Sequence, residues 1–149
     1  MISIIVSIIA LVVSVGSLSV STYVALRDRA RLRAKSTFRN WENRPASIEV
    51  EAVNVGRRPV ILTTIAGHYE DGDRCFTDIG EDKTGIRLQE HERFSEDLTD
   101  GPPDLLFHPR SKARLTDLWF EDTLRRRYRV KNAKKHLKRL FKDWNERNL

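Results

Sequence analysis

The chain of 149 residues holds 27 Lys and Arg against 21 Asp and Glu, a formal charge of +6, with 40% hydrophobic and 32% charged residues. That length leaves room for one small domain beside an anchor, and that balance excludes an extensively disordered chain. The lone Cys75 excludes an internal disulfide and reads as a small apolar residue beside Phe76.

No side chain from Met1 to Leu26 is charged, and Ile, Val, Leu and Ala dominate. Such a segment can satisfy its backbone in lipid only as a helix. Residues 1–26 are therefore assigned to a transmembrane helix; its length of roughly 38 Å exceeds a hydrocarbon core of about 30 Å. The rival is a cleaved signal peptide, but the segment has no basic n-region and its apolar run exceeds the roughly 7–15 residues of an h-region. Arg27, Arg29, Arg31, Arg33 and Lys35 crowd its C-terminal end. Because positive residues stay inside, these cations predict an N-out anchor in the cell inner (plasma) membrane with a cytosolic domain, and they are candidate lipid-headgroup contacts. Ser3, Ser7, Ala10, Ser14, Ser17 and Ser21 recur at spacings of four and three. A stripe of small residues in heptad register predicts close packing against a second copy, hence a homo-oligomer; the alternative is that each serine bonds its own i−4 carbonyl.

The charge is unevenly spread. Residues 27–35 hold five cations and one acid, and residues 131–149 seven cations and two acids, whereas residues 36–130 hold fifteen cations and eighteen acids. Basic flanks around an acidic body fit anionic lipid better than a nucleic-acid groove.

Residues 27–45 form a basic collar and neck, with Ala34 to Trp41 expected to be helical or irregular and to end before Pro45. Residues 46–130 are expected to be a β-sandwich. Ile48, Val50 and Ala52 alternate with polar neighbours, and Val60 to Ala66 is a β-branched run after the turn residues Asn54 to Pro59, which together suggest a hairpin. A second turn is expected at Asp71-Gly72, and further strands at Ile86–Leu88, His91–Leu98, Leu115–Glu121 and Arg127–Val130. Short strands without intervening helices favour an antiparallel sandwich, with Trp119 and Phe120 as core or sheet-face aromatics.

Residues 131–149 predict a basic amphipathic helix. Val130, Ala133, Leu137, Leu140, Phe141 and Trp144 share one face, opposite Lys134, Lys135, Lys138, Arg139 and Lys142. Two readings fit: packing on the sandwich, or docking on the membrane surface through Phe141 and Trp144 beside the lysines.

An N-terminal anchor and basic collar precede the motif Asn54-x-Gly56-x-x-Pro59-Val60, and a late strand enters Asp122 before Arg127-Tyr128-Arg129. In this order of parts the chain resembles small, uncharacterised bacterial and phage single-pass membrane proteins with an immunoglobulin-like domain. The resemblance implies a mainly β fold and a membrane topology, and brings no activity. Those sequences often place a glycine after the late aspartate; here Arg125 and Arg126 stand in that region.

His68, His91, His108 and His136 lack metal-ligand spacing, and no phosphate loop or glycine-flanked nucleophile occurs. The chain is accordingly read as non-enzymatic, without metal or cofactor. Between Glu70 and Asp104 twelve acids face four bases. Asp71, Asp73, Asp78, Glu81 and Asp82 lack the register of a calcium loop, and read as a solvated acidic edge or a surface for a basic cytosolic partner protein. The leading reading is a membrane-anchored scaffold that recruits a partner. The second is a membrane-tethered nucleic-acid binder using Arg110–Arg114, Arg125–Arg129 and the C-terminal lysines. The third is a hydrolase whose pocket gathers His68 or His91 with acidic neighbours.

Overall fold

The structure is a computed structural model that describes residues 2–27, 29–41, 44–80, 82, 84–99 and 105–147, with 2, 3, 26, 27, 41, 44 and 147 described by backbone alone. It is mainly β, with an apolar helix at the N-terminus and a second helix at the C-terminus. Helix α1 is Ile2–Arg27; the strands are β1 Leu32–Trp41, β2 Arg44–Asn54, β3 Val60–Tyr69, β4 Arg74–Asp78, β5 Ile86–Leu88, β6 Arg93–Asp97, β7 Leu115–Asp122 and β8 Arg127–Lys131; α2 is Ala133–Arg147. The strands form one curled mixed sheet in the order β4-β3-β7-β8-β1-β2-β6, with β5 paired to β3.

Most strand positions follow the alternation of the sequence, because a half-buried strand sends successive side chains to opposite faces. Ala46, Ile48, Val50 and Ala52 on β2 are wholly buried, as are Leu118 and Phe120 on β7. Three expectations fail. The neck is not helical or irregular: residues 32–41 are β1, paired with β2 from Leu32↔Asn54 to Trp41↔Arg44. Its inward side chains at 34 and 36 are the small Ala34 and Ser36, both buried, and its outward row is charged, so its apolar alternation is weak. The second failure is the hairpin of β2 with β3. Strand β2 pairs with β1 and β6, whereas β3 pairs with β4, β5 and β7, so residues 55–59 cross between two parts of the sheet. One pairing, β1 with β8, is parallel, which departs from an all-antiparallel arrangement.

Helix α2 packs against the sheet through Ala133, Leu137, Leu140 and Phe141, all buried. Contacts fix its direction: His136 meets Ser36, Arg139 lies over Phe38, and Trp144 reaches the Ala46 carbonyl. The helix thus advances along β1 away from the point where α1 enters. That point defines an anchor end of the domain, where the segment after α1 is bonded to the loop 55–59; the turn 89–92 is bonded to Asn54 at the start of that loop, and the turn 123–126 to Ile61 just beyond it. The β3–β4 turn, the loop before β7 and the end of α2 lie at the far end.

Candidate functional site

Helix α1 contains a 22-residue span, Ile4–Ala25, long and apolar enough to cross a membrane, and none of it is buried by the rest of the chain. At 1.5 Å per residue it measures about 33 Å, close to a hydrocarbon core. Ser7, Ala10, Ser14, Ser17 and Ser21 are exposed along it; the side chain of Ser3 lies outside the described residues. Ser19 and Thr22, off that stripe, donate to the carbonyls four residues back, at 2.8 Å each. The back-bonding alternative thus operates at those two positions.

The collar divides. Arg29 and Arg31 lie before the first strand, while Arg33 and Lys35 occupy its outward row, where Lys35 pairs with Glu51 at 3.3 Å. The side chain of Arg27 lies outside the described residues. The lead-in is fastened to the domain by the loop that carries the motif. Val55 and Gly56 both donate their backbone N–H to the Arg31 carbonyl, at 2.8 and 3.2 Å. Gly56 is required there, since a Cβ would stand 2.3 Å from the Arg29 carbonyl oxygen and 2.5 Å from the Arg31 nitrogen. Asn54, wholly buried, donates its Nδ2 hydrogens to the carbonyls of Arg58 (2.8 Å) and Leu88 (3.0 Å) and accepts the Gly56 N–H at 3.0 Å. A buried amide is tolerated because its bonds are made, and here they tie three segments together.

The second motif is equally local. The buried Asp122 accepts the N–H groups of Leu124 and Arg126, both at 2.9 Å, on Oδ1 and the Tyr128 hydroxyl, also at 2.9 Å, on Oδ2. Burial, then that hydrogen bond, pushes the Tyr128 phenol up to about 12. Arg125 sits in the left-handed region at φ 57, a conformation glycine would adopt at less cost.

The acidic candidates are not gathered. Asp71 and Asp73 lie on the β3–β4 turn at the far end, Asp78 ends β4, Asp82 is exposed on the following loop, and Glu81 lies outside the described residues. Asp71 and Asp73 do meet a histidine, with ligand atoms of Asp71, Asp73 and His108 within 4.8 Å of one another. Their hydrogen bonds do not suit a cation. His108 Nδ1 accepts the N–H groups of Arg110 and Ser111 at 3.3 and 3.0 Å, so Nε2 carries the proton and faces Asp73 at 3.3 Å. The ring has no lone pair left for a metal, and Asp71 takes the Ser111 hydroxyl, the largest of the causes that lower its pKa.

On α2, Phe141 is buried and Trp144 half-buried, both in ring contact with Phe107. The face an interfacial helix would lay on lipid is thus packed on the sheet. The cations stay exposed: Lys134 faces Asp117 at 3.6 Å, Lys142 faces Glu146 at 3.7 Å, and Arg139 covers Phe38. Lys134, Lys138 and Lys142 wall a groove of about 550 Å³ with Arg114, and Lys135 is exposed beside it.

Of the groups invoked by the nucleic-acid reading, Arg114 joins the C-terminal lysines at that groove, whereas the others divide between the two ends of the domain. Arg110 to Arg114 lie at the far end and Arg125 and Arg126 at the anchor end. His68 packs against Trp119, with centroids 4.9 Å apart, and His91 is exposed beside Glu90. A serine–histidine pair that spacing could not reveal joins Ser36 Oγ and His136 Nδ1 at 2.9 Å. Ser36 gives its only hydrogen to the Lys131 carbonyl at 3.1 Å, so it accepts from the ring; this polarity fastens α2 to β1 and is opposite to that of an activated nucleophile. No family model matches the chain, and the comparisons with curated proteins and with solved structures also find no match.

Proposed function

We propose that this chain is a non-enzymatic, single-pass protein of the cell inner membrane, N-terminus out, whose cytosolic β-domain recruits a partner protein and which self-associates through α1. The observation that carries the reading is the apolar span Ile4–Ala25, exposed along its whole length and continued within a few residues by the first strand. Arg29, Arg31, Arg33 and Lys35 on its C-terminal side support the inward placement of the domain. An immunoglobulin-like reading of the domain is supported by its pairings: β2 with β6, and β3 with β7 with β8, correspond to B–E and C–F–G of such sandwiches.

Asp71 and Asp73, at the end farthest from the anchor, are the part of the acidic surface best placed to meet a basic cytosolic protein. Cross-linking of the full chain in native membranes tests this. The expected result is a protein enriched by the parent and lost from Asp71→Lys/Asp73→Lys. The absence of any enrichment that depends on these residues would refute the recruitment reading, and a C-terminal reporter found outside the membrane would refute the orientation.

A further inference from the structure

At most about 18 Å of chain separates Arg27 from Leu32, and its second half is bonded to the loop 55–59. The domain therefore has no long tether. If α1 spans a bilayer, the anchor end of the domain must lie at the headgroup layer. The side chains there suit that position. The loop after β2 presents the exposed Arg57 and Arg58, and the β7–β8 turn presents Arg125 and Arg126. The two segments are neighbours, since Thr123 donates its N–H to the Ile61 carbonyl at 3.1 Å and Ile61 lies just beyond the loop. Each also carries an exposed apolar tip, Val55 at 39% and Leu124 at 67% exposure. The adjoining turn 89–92 carries Glu90 and Glu92, so the four arginines of the other two segments outnumber its acids by two.

We infer that these two segments form a second membrane contact, in which the four arginines bind anionic headgroups while Val55 and Leu124 enter the interface, seating the domain on the bilayer. Charge complementarity and continuity with the anchor select lipid as the occupant, since arginine forks match phosphate and each cation near an anionic surface adds to binding. A left-handed turn position held by Arg125 is consistent with a side chain retained for contact. The inference rests on α1 being a membrane anchor.

The test uses the full chain in nanodiscs, with a bimane label at Leu124→Cys and quenchers carried on the lipid chains; residual labelling of the buried Cys75 is subtracted with the parent. Quenching at 124 is expected in discs rich in phosphatidylglycerol. It should be lost in neutral phosphatidylcholine, lost at high salt, and lost in Arg57→Glu/Arg58→Glu/Arg125→Glu/Arg126→Glu, while a label at Ser111→Cys stays unquenched throughout. A label at Val13→Cys reports the anchor separately. Quenching at 13 without quenching at 124 would overturn the docking face alone, and no quenching at 13 would overturn the anchor reading and the docking face with it. Quenching at 124 that survives both neutral lipid and high salt would overturn the anionic contact.

Discussion

Replacement of Gly56 by alanine tests how the anchor is joined to the domain. The added methyl carbon would lie 2.3 Å from the Arg29 carbonyl oxygen and 2.5 Å from the Arg31 nitrogen, both backbone atoms that cannot rotate aside. Either the lead-in or the loop must move, and the two hydrogen bonds to the Arg31 carbonyl lie in that contact. Overpacking costs about 1–3 kcal/mol and each of the two weakened bonds about 0.5–1.5, so the expected loss is about 2–6 kcal/mol. Urea unfolding of the full chain in detergent, followed by tryptophan fluorescence, measures it. Limited trypsin digestion should in parallel show faster cleavage at Arg29 and Arg31, because the freed lead-in becomes accessible. Gly16→Ala on α1, whose Cβ would meet nothing within 4 Å, is the control and should leave the domain unchanged. A loss below about 0.5 kcal/mol with an unaltered digestion pattern would refute the claim that the lead-in is clamped.

Other expectations follow from titratable groups and from the stripe on α1. The Tyr128 phenol, raised from 10.0 to about 12, should appear in a spectrophotometric titration as a late tyrosine that Tyr128→Phe removes. Its contribution to stability is fully present below the ordinary value and is lost as pH rises toward 12. Burial, then the charges of Lys135 and Arg139, lowers His136 below 6.5 against an opposing hydrogen bond to the Ser36 backbone. The unfolded chain then binds more protons than the folded one, so stability falls as pH drops below the ordinary histidine value; His136→Gln should flatten that limb of a urea midpoint-against-pH curve. Leucine at Ser7, Ser14 and Ser21 together should abolish self-association in a membrane two-hybrid assay, and unchanged association would remove the seam.

Strand β2 was legible because Ile48, Val50 and Ala52 alternate with polar neighbours, the pattern a half-buried strand requires, and β3 because Val60 to Ala66 is a β-branched run. Strand β1 was hidden by the same logic. Its inward positions 34 and 36 are the small Ala34 and Ser36, both buried and the latter against α2, and its outward arginines and lysine read as a membrane collar. The segment Asn54 to Pro59 has the residues of a hairpin turn, yet the amide of Asn54 bonds to Arg58 and to Leu88, a strand its sequence neighbours do not reveal. Pairing partners are a property of the whole sheet, which local turn chemistry cannot specify. The fate of α2 was undecidable in the same way, since one apolar face suits lipid and protein equally; Leu137, Leu140 and Phe141 pack on the sheet. The meeting of His108 with Asp71 and Asp73 depends on two loops arriving at one end of the domain, and spacing carries no sign of it.

The clamp on the lead-in changes what the anchor can do. A helix joined to its domain by a long flexible linker transmits neither rotation nor tilt. Here only residues 28–30 lie between Arg27 and the bonded Arg31, so an α1 that spans a membrane would keep the domain close to the bilayer. A serine stripe used as a seam would consequently bring two domains side by side, with Asp71 and Asp73 of each copy at the end away from lipid. If α1 associates in this way, Gly56, which lets the loop close on the lead-in, is a residue through which that association would reach the domain.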